Sequence, residues 1–100
     1  MTPGQAKENL GRVPFLDVRE HFEWNSGHID GAIHIPMGEV ASRIDELDED
    51  SPIVVVCHVG QRSALVADWL NERGFEAHNL EGGLAAWQAA RLPLVVDGPG

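Results

Sequence analysis

The chain has 100 residues, 43% of them apolar, and a net charge of −9 from seven basic and sixteen acidic side chains. That length fits one domain over residues 1–100 and is too short for an eightfold βα barrel, which takes about 250 residues. An acidic surface repels phosphate backbones and anionic lipid, so neither nucleic acid nor membrane is an expected partner.

The longest apolar run, residues 53–57, is far short of the roughly 18 residues of a membrane helix. The first fifteen residues hold no apolar stretch of the signal-peptide kind. Cys57, the one cysteine, has no partner for an intramolecular disulfide, which suits a reducing compartment. The expectation is a cytoplasmic, soluble monomer.

Residues 1–5 and 97–100 read as loose ends around an ordered core of 5–96. A weak helical pattern covers 5–10, and a first strand is predicted over 14–18, with Asp17 and Arg19 at its carboxyl end. A second strand follows at 32–35. Val40, Ile44 and Leu47 then recur at helical spacing before an acidic block, DELDED at 45–50, that reads as a solvated helix end. The third strand, 53–57, is β-branched and continuous without polar alternation, the pattern of a central strand covered on both faces. A helix over 62–73 carries the i,i+4 pairs Leu65/Trp69 and Val66/Leu70 and stops at Gly74. A fourth strand is expected at 76–79, and a last helix, marked by Leu84 and Trp87, opens after Gly82 and Gly83. Strands alternating with helices predict an α/β fold with a small parallel sheet of four to five strands flanked by helices.

In such sheets ligands bind beyond the carboxyl ends of the strands. Cys57 ends the most buried-looking strand, and His58, Val59, Gly60, Gln61, Arg62 and Ser63 lead from it straight into the next helix. So short a connection must curl over the cysteine, with Gly60 supplying the turn and backbone N–H groups pointing inward beside the helix's positive end. An ordinary thiol is mostly protonated at neutral pH, whereas helix N-termini and nearby cations can lower its pKa to about 3.5–7.5. Arg62 is the expected fixed cation and His58 a second candidate. The plain alternative is a buried, inert strand-end cysteine.

Four motifs in order carry a family resemblance: FLDVRE at 15–20, GHIDGAIHIP at 27–36, CHVGQRS at 57–63 and LEGGLAAW at 80–87. Across nearly its whole length the chain resembles a single-domain rhodanese, of the thiosulfate sulfurtransferase family. The resemblance implies a persulfide mechanism without metal or cofactor. Cys57 takes sulfane sulfur from a small anionic donor such as thiosulfate and hands it to cyanide or a thiol. A protein sulfur donor or acceptor is also compatible, so a sulfur-relay or binding module is the alternative reading. Within this reading the loop N–H groups stabilise the thiolate and persulfide, Arg62 biases the site toward anions, and His58 and Gln61 line the mouth. Ser63 caps the helix or donates to the loop. Family members often open with a short strand ahead of the first helix. Here only Met1 and Thr2 are available for it, so four strands are expected, with 94–96 the candidate fifth.

Loop size separates two chemistries. Cys57 to Arg62 is Cys-x4-Arg, whereas the cysteine phosphatases resemble Cys-x5-Arg, which would require arginine where Ser63 stands. The smaller cradle suits one added sulfur atom and disfavours a phosphatase or arsenate reductase. Asp17 and Arg19 share the edge of Cys57 and are possible braces for the loop, but the favoured reading is a local ion pair of Arg19 with Glu20 or Glu23. His21, His28, His34, His58 and His78 show no metal-ligand spacing, and packing or backbone bonding is expected of His28 and His34. Trp24, Trp69 and Trp87 are read as packing residues, and Gly82 and Gly83 as a tight turn beside the loop.

Overall fold

In the computed structural model, which describes residues 1–96, the apolar run at 53–57 becomes the inner part of a four-stranded sheet. The strands are β1 Phe15–Asp17, β2 Ile33–His34, β3 Ile53–Val56 and β4 Ala77–Asn79, in spatial order β2-β1-β3-β4 and all parallel. Successive side chains of a strand point to opposite faces. Ile53, Val55 and Cys57 therefore join one buried cluster while Val54 and Val56 join the other, which accounts for the missing polar alternation.

Four helices cover the sheet: α1 Pro3–Glu8, α2 His21–Ser26, α3 Gln61–Asn71 and α4 Gly83–Ala89. Val66, Ala67 and Leu70 of α3 pack on one face; Leu84 and Trp87 of α4, with Ala6 of α1, pack on the other. From β1 the chain moves outward to β2, and from β3 it moves to β4 on the opposite side. The order thus reverses between β1 and β3, and the crevice beyond their carboxyl ends is where an open parallel sheet places ligands. Among the described residues no helix is long and apolar enough to cross a membrane.

Several expectations need correction. Residues 3–5 are helical rather than loose: Thr2 and Gln5 form a capping box and Pro3 occupies the first turn, so α1 starts and ends two residues earlier than its apolar spacing implies. Residues 97–100, also expected to be loose, lie outside the described residues. The pattern of Val40, Ile44 and Leu47 forms two 3-10 segments, Met37–Glu39 and Ala41–Glu46. Arg43 kinks the second of them at φ −118°, ψ 18° while pairing with Glu39 and Glu46. The candidate fifth strand reduces to one antiparallel bridge between Val95 and His28. α2 was not foreseen. Its cap is Glu20, an unusual residue for that place, in a reciprocal box with Glu23.

Candidate active site

Cys57 is the first residue beyond β3 and is buried. The chain then turns back on itself, because Gly60 at φ 97°, ψ −2° occupies the left-handed region as the cap of α3. A side chain there would also press on the Gly82 nitrogen, 3.2 Å from the position of a Cβ. The turn aims the Gly60 N–H at the sulfur, with N···Sγ 3.1 Å, and brings the Ser63 hydroxyl to 3.2 Å. Burial pushes the Cys57 thiol up; the Ser63 hydroxyl and the N–H groups of Ser63, Gly60 and Arg62 outweigh it and leave the pKa lowered. Three backbone N–H groups and one hydroxyl thus act on Cys57 Sγ.

A second helix end fixes the loop from behind. The N–H groups of Leu84 and Ala85, in the first turn of α4, donate to the carbonyls of Cys57 and His58, both at 2.9 Å. That approach requires a glycine. At Gly83, with φ 60°, a Cβ would lie 2.5 Å from the Cys57 and His58 carbonyl oxygens.

The charged residues are arranged differently from the sequence expectation. Arg62 is not a free cation: its two terminal nitrogens donate to the two Glu23 oxygens at 2.7 and 2.8 Å. The Arg62 hydrogen bond holds the Glu23 carboxyl down to about 2. Arg19 pairs with Asp17 rather than with the carboxylate of Glu20 or Glu23, through a buried contact of 2.8 Å. It also donates to the backbone oxygens of Gly27 and Glu23, at 2.7 and 3.2 Å. Asp17 and Arg19 therefore tie the end of β1 to α2, the helix that carries Glu23, and the structure gives neither a contact with the sulfur.

Cys57, Gly60, Arg62 and Ser63 thus converge, with Arg62 contributing its N–H. His58, Val59 and Gln61 are exposed on the outer side of the loop. His58 borders an open cavity of about 320 Å³ with Arg19, Phe22, Glu23 and Leu84. His28 and His34 bond backbone oxygens of Trp24 and Arg19, and the Trp24 ring stacks with both of theirs. Among the described residues no group of three His, Cys, Asp or Glu side chains is disposed to hold a metal ion.

Sequence reasoning missed the pairing of Glu23 with Arg62, Asn79, and the part played by Gly83. Asn79, at the end of β4, accepts from the Ser63 hydroxyl and donates to the Gly60 carbonyl at 3.1 Å. Its only sequence signal was a polar amide in a strand, where Asn is uncommon.

The sequence model of the family described as "Rhodanese-like domain" matches residues 2–90. Thiosulfate sulfurtransferase GlpE of Shewanella oneidensis is 40% identical over 79 residues, which cover 78% of this chain and 78% of that protein. The enzyme of the same name from Glaesserella parasuis is 31% identical over 97 residues, covering 94% and 90%. The crystal structure of a rhodanese-related protein from Thermoplasma volcanium superposes with a TM-score of 0.93 at 32% identity, over 97% of each chain.

Proposed function

Because the chain belongs to the rhodanese-like domain family, we propose that it is a sulfurtransferase working through a persulfide on Cys57. The Cys57 thiolate attacks the sulfane sulfur of a donor such as thiosulfate, and the donor's S–S bond breaks as sulfite leaves with the bonding pair. An acceptor, cyanide or a thiolate, then attacks the outer sulfur. Thiocyanate or a new persulfide departs and the Cys57 thiolate is regenerated. Electrons and atoms balance without metal or cofactor.

The observation that carries this reading is the cradle of N–H groups and one hydroxyl around the Cys57 sulfur, which lowers its pKa. Donors within hydrogen-bond reach stabilise an anion without reorganising. The same cradle argues against phosphate chemistry, because the Arg62 guanidinium is committed to Glu23.

Intact-mass measurement after incubation with thiosulfate tests the proposal. One added sulfur, removed by cyanide and absent in Cys57→Ser, is the expected result. An adduct that persists in Cys57→Ser overturns it, as does an unmodified wild-type protein with thiosulfate and organic persulfide donors alike.

A further inference from the structure

The Ser63 hydroxyl lies within hydrogen-bond distance of two acceptors and has one hydrogen to give. One acceptor is Cys57 Sγ, at 3.2 Å; the other is Asn79 Oδ1, in short contact. The orientation of the Asn79 amide follows from chemistry. The Gly60 carbonyl can only accept, so the group 3.1 Å from it must be the NH2 of Asn79, which turns Oδ1 toward Ser63. Asn79 is held in register opposite Val55 of β3, and Ser63 is fully buried in the first turn of α3. The sheet and the helix thus hold the backbones of both partners in place.

Two hydrogen arrangements follow. With Cys57 protonated, its S–H can donate to Ser63 Oγ while the hydroxyl donates to Asn79 Oδ1, and every group is satisfied. With Cys57 ionised, the hydroxyl is drawn to the sulfur, and Asn79 Oδ1 is left against the hydroxyl oxygen with no hydrogen between them.

We propose that Asn79 is a positioning residue for Cys57, competing with the sulfur for the Ser63 hydroxyl hydrogen and so setting how fully that hydrogen bond reaches the anion. The side chain acts on the nucleophile from the neighbouring strand without touching it. This deepens the persulfide reading, since it concerns the same sulfur. The charged group of neighbouring elements whose field reaches Cys57 is Arg62, paired with Glu23 of α2. Neither is altered by changing Asn79.

The test is the pH dependence of Cys57 alkylation by iodoacetamide, which reads the thiolate whether or not the protein transfers sulfur. Failure here is therefore distinct from failure of the sulfur-loading experiment. In Asn79→Ala the hydroxyl is released to the sulfur, and the inflection is expected to fall by as much as about one pH unit. A less basic thiolate is a weaker nucleophile, so the high-pH plateau should drop about threefold. Ser63→Ala should raise the inflection, and adding Asn79→Ala to it should change nothing further. An unchanged or raised inflection in Asn79→Ala overturns the proposal. So does an equal shift in both backgrounds, which would assign the effect to the Gly60 carbonyl instead. Should Asn79→Ala lose the fold, Asn79→Val removes the same amide with a strand-favouring side chain and carries the same comparison.

Discussion

Replacing Gly83 by alanine is the sharpest test of the way the two helix ends hold the loop. The new methyl would stand 2.5 Å from the carbonyl oxygens of Cys57 and His58, where real contacts do not fall below 3.0 Å. Reaching an ordinary 3.4 Å contact requires a displacement of about 0.9 Å, and the obstacle is backbone rather than a flexible side chain. The 2.9 Å bonds from Leu84 and Ala85 to those carbonyls would stretch beyond the normal range as helix and loop are forced apart. Overpacking costs about 1–3 kcal/mol, and each weakened bond costs about 1 kcal/mol. The left-handed φ of 60° adds about 1–2 kcal/mol for any residue with a Cβ.

Gly31→Ala separates these contributions, since Gly31 also has a positive φ, 81°, but nothing within 4 Å of its would-be Cβ. We expect Gly31→Ala to lose about 1–2 kcal/mol and Gly83→Ala at least about 2 kcal/mol more. In a domain of this size that difference is roughly 8–16 °C in Tm. Urea unfolding followed by tryptophan fluorescence, with alkylation of Cys57 as the local probe, measures both consequences. The alkylation inflection should rise in Gly83→Ala alone, because the displaced loop carries the Gly60 N–H away from the sulfur. Equal stability losses with an unmoved inflection would refute the reasoning.

Glu23→Gln should make stability less sensitive to acid. With the Glu23 carboxyl held at about 2 instead of 4.5, its stabilisation is complete above 4.5 and is lost as the pH falls toward 2. The wild type should therefore exceed the variant by about 1 kcal/mol near neutrality, given a partly exposed pair, and converge with it by pH about 2 in acid unfolding. Loop size should matter more than loop side chains. Gln61→Ala keeps every donor and should hold sulfur loading within about threefold, whereas an alanine inserted between Gln61 and Arg62 should slow it about 100-fold or more while circular dichroism shows the fold retained.

The strands and the place of Cys57 were legible because their signals are contiguous. An apolar β-branched run, one cysteine, one glycine and a helical pattern occupy residues 53–73, and the sheet places Cys57 where that order requires. What stayed hidden is tertiary. Arg62 finds Glu23, 39 residues away, and Ser63 finds Asn79, 16 residues away. No local pattern announces either. The 3-10 segments read as helix because i,i+3 and i,i+4 spacing overlap over a few residues. α2 escaped notice because its box is made by two glutamates rather than by a Ser, Thr, Asp or Asn cap.

The pairing of Arg62 with Glu23 refines how the site is understood. Positive charge was assigned to arginine because the loop must favour an anion and the chain is otherwise acidic. The structure gives Arg62 to Glu23 and Arg19 to Asp17, so both guanidinium charges near the loop are already matched by carboxylates. The donors in direct contact with the sulfur are dipolar: N–H groups at the start of α3, the Gly60 N–H and one hydroxyl, with the Arg62 charge acting from further off. Dipoles of that kind act within hydrogen-bond reach and fade quickly beyond it, unlike a bare charge. They can stabilise a thiolate or a terminal persulfide sulfur at one place while doing little to draw a dianion from solution. The paired arginines also serve geometry, tying α2 to α3 and β1, while the donors that lower the Cys57 pKa all come from residues 60–63.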